Sequence, residues 1–459
     1  MVAPGRGENQ CGGCLARTRL WDDNAVMRSF LVIALAAAGL VLAGSAAGET
    51  PSDWSHWRGP AGTGVAARSP ALATEWPKEG PAKLWESEKI PRCDTDGGGG
   101  YGSVTVADGR AYLFTGWGRK ETVAATQPNE TPKTVPRSSD VILCLDALTG
   151  KTLWKKEFPG VWLKHMDLYH GSSSTVTIAR GRCYAVGTAG VYCLDARTGA
   201  EIWKHAGPPA SSSFLVVEKM AVAQLEELKA FDADTGRELW TQPKVKSHSN
   251  SPVLWHSGEK VRLICNTPYN GIMCVDPADG HVLWTRIGGG EHSTPAIEGD
   301  MMVVLAEVFG RSMVGYKLSE EKAEKVWSIA ALHDQSASPV IHKGHVYAYA
   351  NKTIPWGKVN RLVCAELATG KIVADEARGE AYWASPVIAD GKLFFLEDKT
   401  YNAAIHLTCF DAAPEHFVQL GQAKVDCSLC VSPAIADGRL YLRMQEQVAC
   451  FDLRGKTTP

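Results

Sequence analysis

The sequence has no excess of charge of either sign. Lysine and arginine together number 48 and aspartate and glutamate together number 50, so the formal net charge is −2 at pH 7. A surface that binds nucleic acid or an anionic membrane would need a clear cationic surplus. The composition therefore predicts no nucleic-acid partner.

The chain also lacks an apolar run long enough for a confident membrane span. The run from Phe30 to Leu42 is shorter than the roughly 20 residues that a transmembrane helix needs. It follows Met27-Arg28 and ends in small residues, a pattern typical of a secretory signal peptide cleaved near Ala47. We therefore expect residues 1–26 to be an upstream extension and residues 1–48 to be absent from the mature chain. We expect that chain to be exported and soluble, with no transmembrane span and no lipid anchor, because Ser45 stands where a lipoprotein has cysteine.

Two common motifs of nucleotide and metal sites are incomplete. The run Gly97–Gly100 is not followed by Lys-Ser/Thr and precedes a predicted strand, so it is not a P-loop. Cys427 and Cys430 have CxxC spacing, but no second CxxC follows at the distance of a zinc ribbon. A disulfide or redox pair and two ordinary loop thiols remain as alternatives for these cysteines.

The chain instead contains a short repeat in which an aspartate lies eight residues before a tryptophan and a glycine lies four before it. Apolar and polar residues alternate on both sides, which predicts strand, tight turn, strand. Aspartate can hydrogen-bond its own turn, glycine can adopt positive φ, and the tryptophan supplies a large apolar plug. We interpret these residues as structural: Asp146, Gly150, Trp154, Asp195, Gly199, Trp203, Asp232, Gly236, Trp240, Asp276, Gly280 and Trp284.

Each unit opens with a small hydroxyl residue, often Ser-Pro, followed by alternating apolar residues. The openings are Ser103, Thr175, Ser213, Ser251, Thr294, Ser338, Ser385 and Ser432. Such a period with four short strands per unit is the signature of a β-propeller blade. The last unit stops after Leu453 without a tryptophan-bearing strand, and the isolated strand around Trp85 would supply it. We therefore predict an all-β, eight-bladed propeller of four-stranded blades over residues 82–453, with its ring closed by the N-terminal strand.

The flanking and variant segments lead to further expectations. Residues 49–81 are predicted to form an irregular arm anchored by Trp54, Trp57 and Trp76, and residues 454–459 a tail. Units five to seven depart from the repeat, with Ser319 in place of the acid and Ala374 and Gln419 in place of the tryptophan, so they should pack less well. The Pro/Thr-rich insertion at 119–139 is predicted to be a loop. Cysteines two residues before the acid position should be buried thiols: Cys144, Cys193, Cys274, Cys364, Cys409 and Cys450.

The loop that precedes each innermost strand should lie at the mouth of the central channel. Candidate metal ligands there are Asp94, Asp96, Glu291 and Asp426, and candidate cofactor-pocket residues are His170, His248, His292, His333, Asp334 and Trp383. Imidazole and carboxylate groups could hold a divalent metal or a small anion. Alternatively, they satisfy neighbouring backbone groups in ordinary polar loops.

The AxDxxTGxxxW pattern resembles the PQQ-type propeller repeat of quinoprotein alcohol dehydrogenases, of the assembly lipoprotein BamB and of many exported bacterial propellers. The arm sequence WSHWRGPAGTG resembles the opening of the exported, BamB-like group. The dehydrogenases have adjacent cysteines against the quinone, but this chain has no Cys-Cys pair, and Val431 follows Cys430 where a haem motif has histidine. The resemblance implies the propeller architecture and export, and it leaves the partner open. We expect a monomeric, non-catalytic scaffold in the periplasm or outside the cell, with envelope proteins as partners and no cofactor. Its alternatives are a PQQ- and calcium-dependent oxidoreductase and a small-molecule or carbohydrate binder at the channel mouth.

Overall fold

The computed structural model describes residues 53–92, 99–123, 133–161, 173–247, 249–268, 270–289, 292–306, 311–334, 336–354, 357–381, 383–398, 405–428 and 430–455. All of them belong to one compact unit, Ala46–Pro459. The predicted signal peptide lies outside the described residues. Within these ranges, no helix has the length and apolarity required to cross a membrane.

The described strands form eight antiparallel sheets, one for each blade. The first strand, β1 (Lys83–Glu86), belongs to the last blade. Blade 1 contains β2 (Thr105–Ala107), β3 (Arg110–Val123), β4 (Lys133–Asp146) and β5 (Thr152–Pro159), and blade 2 contains β6 (Thr177–Ala179), β7 (Arg182–Val186), β8 (Gly190–Asp195) and β9 (Glu201–Ala206). Blade 3 contains β10 (Leu215–Val217), β11 (Met220–Leu225), β12 (Glu227–Asp232) and β13 (Glu238–Gln242), and blade 4 contains β14 (Val253–Ser257), β15 (Lys260–Thr267), β16 (Gly271–Val275) and β17 (Val282–Arg286).

The second half of the ring repeats this order. Blade 5 contains β18 (Ala296–Glu298), β19 (Met301–Ala306), β20 (Ser312–Leu318) and β21 (Ala323–Ala330). Blade 6 contains β22 (Leu332–His333), β23 (Val340–His342), β24 (His345–Ile354), β25 (Gly357–Glu366) and β26 (Ile372–Arg378). Blade 7 contains β27 (Glu380–Ala381), β28 (Val387–Ala389), β29 (Lys392–Asp398), β30 (Ile405–Asp411) and β31 (Gln419–Lys424), and blade 8 contains β32 (Ala434–Ala436), β33 (Arg439–Arg443) and β34 (Val448–Asp452).

The first strand closes the ring. Strand β1 pairs antiparallel with β34, and Trp85 lies opposite Cys450. Blade 8 is therefore built from both ends of the folded region, and the predicted eight-bladed ring is confirmed. In an open ring, blade 8 would lack its outer strand. Strand β1 supplies that strand, so β34 is paired on both sides.

The strand order gives the ring two distinct ends. We call the end at which the inner strands begin the mouth and the opposite end the base. The β3–β4 hairpin of blade 1 extends towards the mouth, with paired residues running from Arg110 and Asp146 to Val123 and Lys133. The expected loop at 119–139 was therefore wrong for most of its length, because regular pairing continues through both sides of the insertion; residues 124–132 lie outside the described part.

The repeated aspartate stabilises its turn at the base. The Thr149 amide donates to Asp146 Oδ1 at 2.9 Å, and the Thr149 hydroxyl donates to the same oxygen at 2.8 Å. The hydroxyl bond is the main reason that the pKa of Asp146 is lowered. Gly150 completes the turn at φ 72°, a conformation that costs glycine little.

The repeated tryptophan wedges one blade against the next. A Cβ atom on Gly150 would lie 2.4 Å from the Trp85 ring, and the Trp85 indole donates to the Ala147 carbonyl at 3.1 Å. A Cβ atom on Gly199, Gly236 or Gly280 would likewise lie too close to the ring of Trp154, Trp203 or Trp240, respectively. Further indole bonds join Trp154 to Ala196, Trp203 to Ala233, Trp240 to Pro277, Trp284 to Ser319 and Trp327 to Leu367. The indoles thus point between blades and not at the channel.

Strand register corrects two repeat assignments. Cys144 pairs with Trp154, ten residues later, whereas Gly315 pairs with Trp327 and Cys409 with Gly421, each twelve residues later. The turns of blades 5 and 7 are therefore two residues longer. In blade 5 the position of the repeat acid, two residues after the partner of the tryptophan, is therefore Lys317 and not Ser319, which was assigned by the constant spacing of eight residues. Likewise Gly421, and not Gln419, occupies the tryptophan position of blade 7.

The arm supplies the indole that blade 7 lacks. A Cβ atom on Gly421 would lie 2.5 Å from Trp76, and the Trp76 amide donates to the Leu420 carbonyl at 3.0 Å. Trp76 is buried, and its ring centroid lies 6.1 Å from that of Phe394. In blade 6, Ala374 packs in the same apolar cluster as Phe417, which the longer turn of blade 7 contributes. The two missing tryptophans are thus replaced by side chains from elsewhere in the chain.

Candidate functional site

A belt of hydroxyl residues surrounds the channel at the start of the inner strands. Its members are the eight opening residues, Ser103, Thr175, Ser213, Ser251, Thr294, Ser338, Ser385 and Ser432. At seven of the eight junctions between consecutive members, the amide of one member donates to the hydroxyl oxygen of the next, at distances of 2.9 to 3.1 Å. Each such bond crosses from one blade to its neighbour, so the belt ties the inner strands together.

A second tier of side chains lies two residues before the belt, closer to the mouth. The tier consists of Tyr101, Ser173, Ser211, Ser249, His292, Ser336, Trp383 and Cys430. This tier, four members of the belt and Trp57 line a cavity of about 460 Å³. Ligand pockets in proteins commonly enclose about 300–1,000 Å³, so the cavity is large enough for a small molecule.

The arm closes this cavity on the base side. The Trp57 indole donates to Thr294 Oγ1 at 3.2 Å, and the same side chain also lines a second cavity of about 140 Å³ beneath it. Arg58 is almost fully buried and donates to the carbonyls of Thr294 and Pro339 in blades 5 and 6. Burial lowers the pKa of Arg58 to about 9. The arm therefore separates the channel from the base.

Two of the predicted pocket residues line the cavity. His292 Nδ1 lies 2.6 Å from Ser249 Oγ, which joins the second tier of blades 4 and 5. Trp383 is 41% exposed, and its backbone has the left-handed φ of 54°. Non-glycine residues rarely adopt this conformation, and such strain is often found where proteins bind ligands.

Three other predicted site residues lie away from the cavity lining. His333 is buried, with Nε2 lying 2.8 Å from Thr353 Oγ1. Asp334 is buried and accepts the Ser336 and Ala337 amides at 2.8 and 2.7 Å. Asp426 is exposed, and its carbonyl accepts the Gln445 amide. Asp94, Asp96, His170, His248 and Glu291 lie outside the described residues.

Most of the wall of this cavity is formed by residues that were not predicted from the sequence. Tyr101 and the second-tier serines were not predicted as site residues, because histidine and carboxylate side chains were expected to form the site. Their common signal in the sequence is their position, because all eight side chains of the tier lie two residues before a belt residue.

The described cavity residues do not fit a quinone cofactor of the PQQ type. PQQ is a tricarboxylate, and its carboxylates would need cationic partners or a metal when buried. The lining side chains are hydroxyls, indoles, a phenol, an imidazole and a thiol, with no lysine or arginine among the described ones. Within the same residues, no group of three or more histidine, cysteine, aspartate or glutamate side chains could hold a metal ion.

The cysteines near the mouth are free thiols. Cys427 is buried, and Cys430 is partly exposed at the cavity wall. Burial raises the pKa of both thiols, so neither is held as a reactive thiolate. The six cysteines beside the repeat acids are free and buried.

Comparison with known proteins agrees with this architecture. The family described as outer membrane protein assembly factor BamB matches residues 138–227 and 224–456. No curated protein matches the chain significantly. BamB from Moraxella catarrhalis is 14% identical with a TM-score of 0.52, over 70% of this chain and 90% of that one.

Two enzymes share the fold at similar distance. A europium-containing methanol dehydrogenase is 13% identical with a TM-score of 0.55, over 86% of this chain and 90% of that one. The quinohemoprotein alcohol dehydrogenase of Comamonas testosteroni is 13% identical with a TM-score of 0.59, over 88% and 81%. Such low identity shows a common fold only. Since the family match extends over more than half of the sequence, the chain belongs to the BamB family of PQQ-repeat β-propellers.

Proposed function

We propose that this protein is a non-catalytic interaction scaffold of the cell envelope. The observation that carries this proposal is the long β3–β4 hairpin of blade 1, which projects from the ring towards the mouth. A rigid ring with a long projecting hairpin can hold a partner while its own core stays unchanged. The family description, an outer-membrane protein assembly factor, favours exported partners in the periplasm or outside the cell.

The hairpin carries side chains that are common at protein interfaces. The Arg119 guanidinium lies 5.0 Å from the Trp117 ring centroid, and the Trp117 indole donates to Glu157 at 2.6 Å. Trp117 lines two surface hollows of about 270 and 350 Å³. Tryptophan and arginine are enriched among residues that dominate binding energy. This surface supports docking of a folded partner by a monomeric propeller.

A crosslinking experiment in intact cells tests the scaffold. A photo-crosslinking residue at Lys120, which is exposed on the hairpin, should capture one or a few defined envelope proteins. The same residue at Leu148, which is 61% exposed in a turn at the base, serves as the matched control and should capture none of them. A protein that is retained in the cytoplasm, or equal capture at both positions, would contradict the proposal.

A second experiment separates the scaffold from a quinoprotein oxidoreductase. The purified chain is incubated with PQQ and calcium, desalted and assayed with an alcohol and a redox dye. We expect no retained quinone absorbance and no alcohol-dependent dye reduction, because the described cavity residues offer the tricarboxylate no cationic partner. Retained quinone together with turnover would replace the scaffold by the enzyme.

A further inference from the structure

The two sides of the central cavity differ in chemistry. On the side of blades 2 to 4, the wall is formed by hydroxyl side chains of the belt and of the second tier: Ser173, Thr175, Ser211, Ser213, Ser249 and Ser251. Several are fixed by backbone bonds, as when Ser213 Oγ accepts the Thr175 amide at 3.1 Å and Ser211 Oγ accepts the Ser173 amide at 3.0 Å. A hydroxyl that accepts one such bond still has a proton to donate and a second lone pair. This wall therefore presents closely spaced donors and acceptors in fixed positions.

The aromatic side chains lie on the other side of the cavity, beside Ser336 and Cys430, and on its floor. Tyr101 of blade 1 and Trp383 of blade 7 lie on the other side of the cavity, and Trp57 forms the floor. Trp383 stays 41% exposed beside the cavity although its ring would be buried more favourably elsewhere. Its positive φ of 54° adds conformational strain, which the fold retains at this position. An exposed, strained tryptophan beside a cavity is well placed to stack against a ligand.

The charge of the described lining residues restricts the kind of ligand that the cavity can bind. The described lining contains no carboxylate, lysine or arginine, and His292 is held through Nδ1 by Ser249 at 2.6 Å. Among these described side chains, a charged ligand would lose hydration without gaining an opposite charge. A purely apolar ligand would leave the hydroxyl wall without partners. The ligand that matches both walls is neutral, rich in hydroxyl groups and apolar on one face.

We propose that the central cavity binds a neutral carbohydrate of one or two sugar rings. The apolar face of a ring stacks on Trp383, and its hydroxyls bond to the serines of blades 2 to 4 and to His292. The cavity volume of about 460 Å³ is compatible with a molecule of this size. This site is distinct from the blade 1 hairpin, so sugar binding can be confirmed or disproved independently of the scaffold function.

Titration of the full chain with uncharged sugars tests the proposal. The probes are glucose, N-acetylglucosamine, maltose and cellobiose, followed by tryptophan fluorescence and calorimetry. We expect saturable binding of at least one sugar. Loss of a stacking ring in Trp383→Ala should weaken it roughly tenfold, and loss of one hydroxyl in Ser211→Ala roughly threefold.

Matched controls keep the result interpretable. Val418→Ala removes a side chain of the same blade that is 43% exposed in a turn at the base, and it should leave affinity unchanged. Circular dichroism and the melting temperature show that each variant folds. Failure of all four sugars to bind at 10 mM or below, affinity unchanged by both cavity substitutions, or tighter binding of inorganic phosphate or PQQ than of any sugar would each overturn the proposal.

Discussion

Blades 1 to 4 and blades 5 and 7 reach the same packing by different routes, and blade 6 follows the first route, with Gly370 against Trp327. In blades 1 to 4, a short turn presents a glycine to the tryptophan of the preceding blade, as Gly199 does to Trp154. Blades 5 and 7 have turns two residues longer, and these turns reach back to the preceding blade with a side chain of their own. Glu320 of blade 5 accepts bonds from Arg262 of blade 4, and Phe417 of blade 7 joins the cluster around Ala374 of blade 6.

This difference shows that the repeat is one of several solutions to a single packing problem. Each boundary between blades must exclude water and be filled, because a void costs stability in proportion to its volume. A tryptophan in the outer strand fills it locally. Where it is lost, the chain fills the space from the neighbouring turn or, in blade 7, from Trp76 of the arm.

The largest effect is expected from removing an indole. Trp284→Ala in blade 4 and Trp76→Ala in the arm should each lower the free energy of unfolding by about 3–5 kcal/mol, because both side chains are buried. Urea denaturation of both variants measures this. If Trp76 merely rests on the surface, its removal would cost less than 1 kcal/mol, and the equivalence between arm and outer strand would be lost.

A substitution at Gly421 sharpens the same comparison. In the Trp76→Ala background, Gly421→Trp returns the indole to the blade itself and should recover about 2 kcal/mol, roughly half of the cost of an aromatic truncation. In the otherwise native chain the same substitution should destabilise, because an added Cβ would lie 2.5 Å from Trp76. A double-mutant cycle by urea denaturation gives the coupling. Additive changes in the free energy of unfolding would show that Trp76 and a tryptophan at position 421 do not occupy the same space.

A smaller effect is expected in the hydroxyl belt, which is common to both halves of the ring. Ser338 Oγ accepts the Thr294 amide at 2.9 Å in a buried position. Ser338→Ala should leave that amide without its partner and cost about 1–3 kcal/mol. Ser69→Ala, at a partly exposed arm hydroxyl that bonds only locally in the described contacts, is the control and should have little effect. Equal melting temperatures for the two variants would mean that the belt does not hold the inner strands.

The smallest effect concerns the ion pair made by the longer turn of blade 5. Hydrogen bonds from Arg262 are the main reason that the pKa of Glu320 is lowered to about 2. Since the folded-state pKa lies below the ordinary value, the stabilisation is complete above about pH 4.5 and is lost as pH falls towards 2. Glu320→Gln should therefore cost 1 kcal/mol or less at pH 7, because the pair is partly solvated.

Urea midpoints of the native chain and of Glu320→Gln at pH 7, 4 and 3 check this dependence. The difference between the two proteins should shrink as the pH falls. Glu324→Gln, at an ion pair that is exposed on both sides, should show no measurable difference at any of these values. A difference that grows on acidification would reverse the sign expected for a lowered carboxyl pKa.

The architecture could be predicted from sequence because its signals are local. Asp146, Thr149 and Gly150 lie within one turn, and their types dictate that turn whatever surrounds it. Eight openings and one isolated strand around Trp85 then predict both blade number and closure. The repeat assignments at Ser319 and Gln419 were wrong because constant spacing was assumed where the turns of two blades are longer.

The site was predicted less well because its members come together only in the ring. His292 and Trp383 line the cavity, whereas His333 lies in strand β22 and Asp334 directly follows it, and both are buried behind hydrogen bonds of their own. No spacing in the sequence distinguishes these two outcomes, since a change of one position in a loop turns a side chain from the channel to the wall.

The sequence by itself determined the turns, the alternation of the strands, the number of blades and the strand that closes them. These depend on residues that are neighbours in the chain or that recur at a regular period. Only the tertiary structure decided that Trp76 fills blade 7, that Trp57 closes the channel and that a neutral hydroxyl wall faces Trp383. Those contacts join segments far apart in the chain, and the curvature of the closed ring sets their distances.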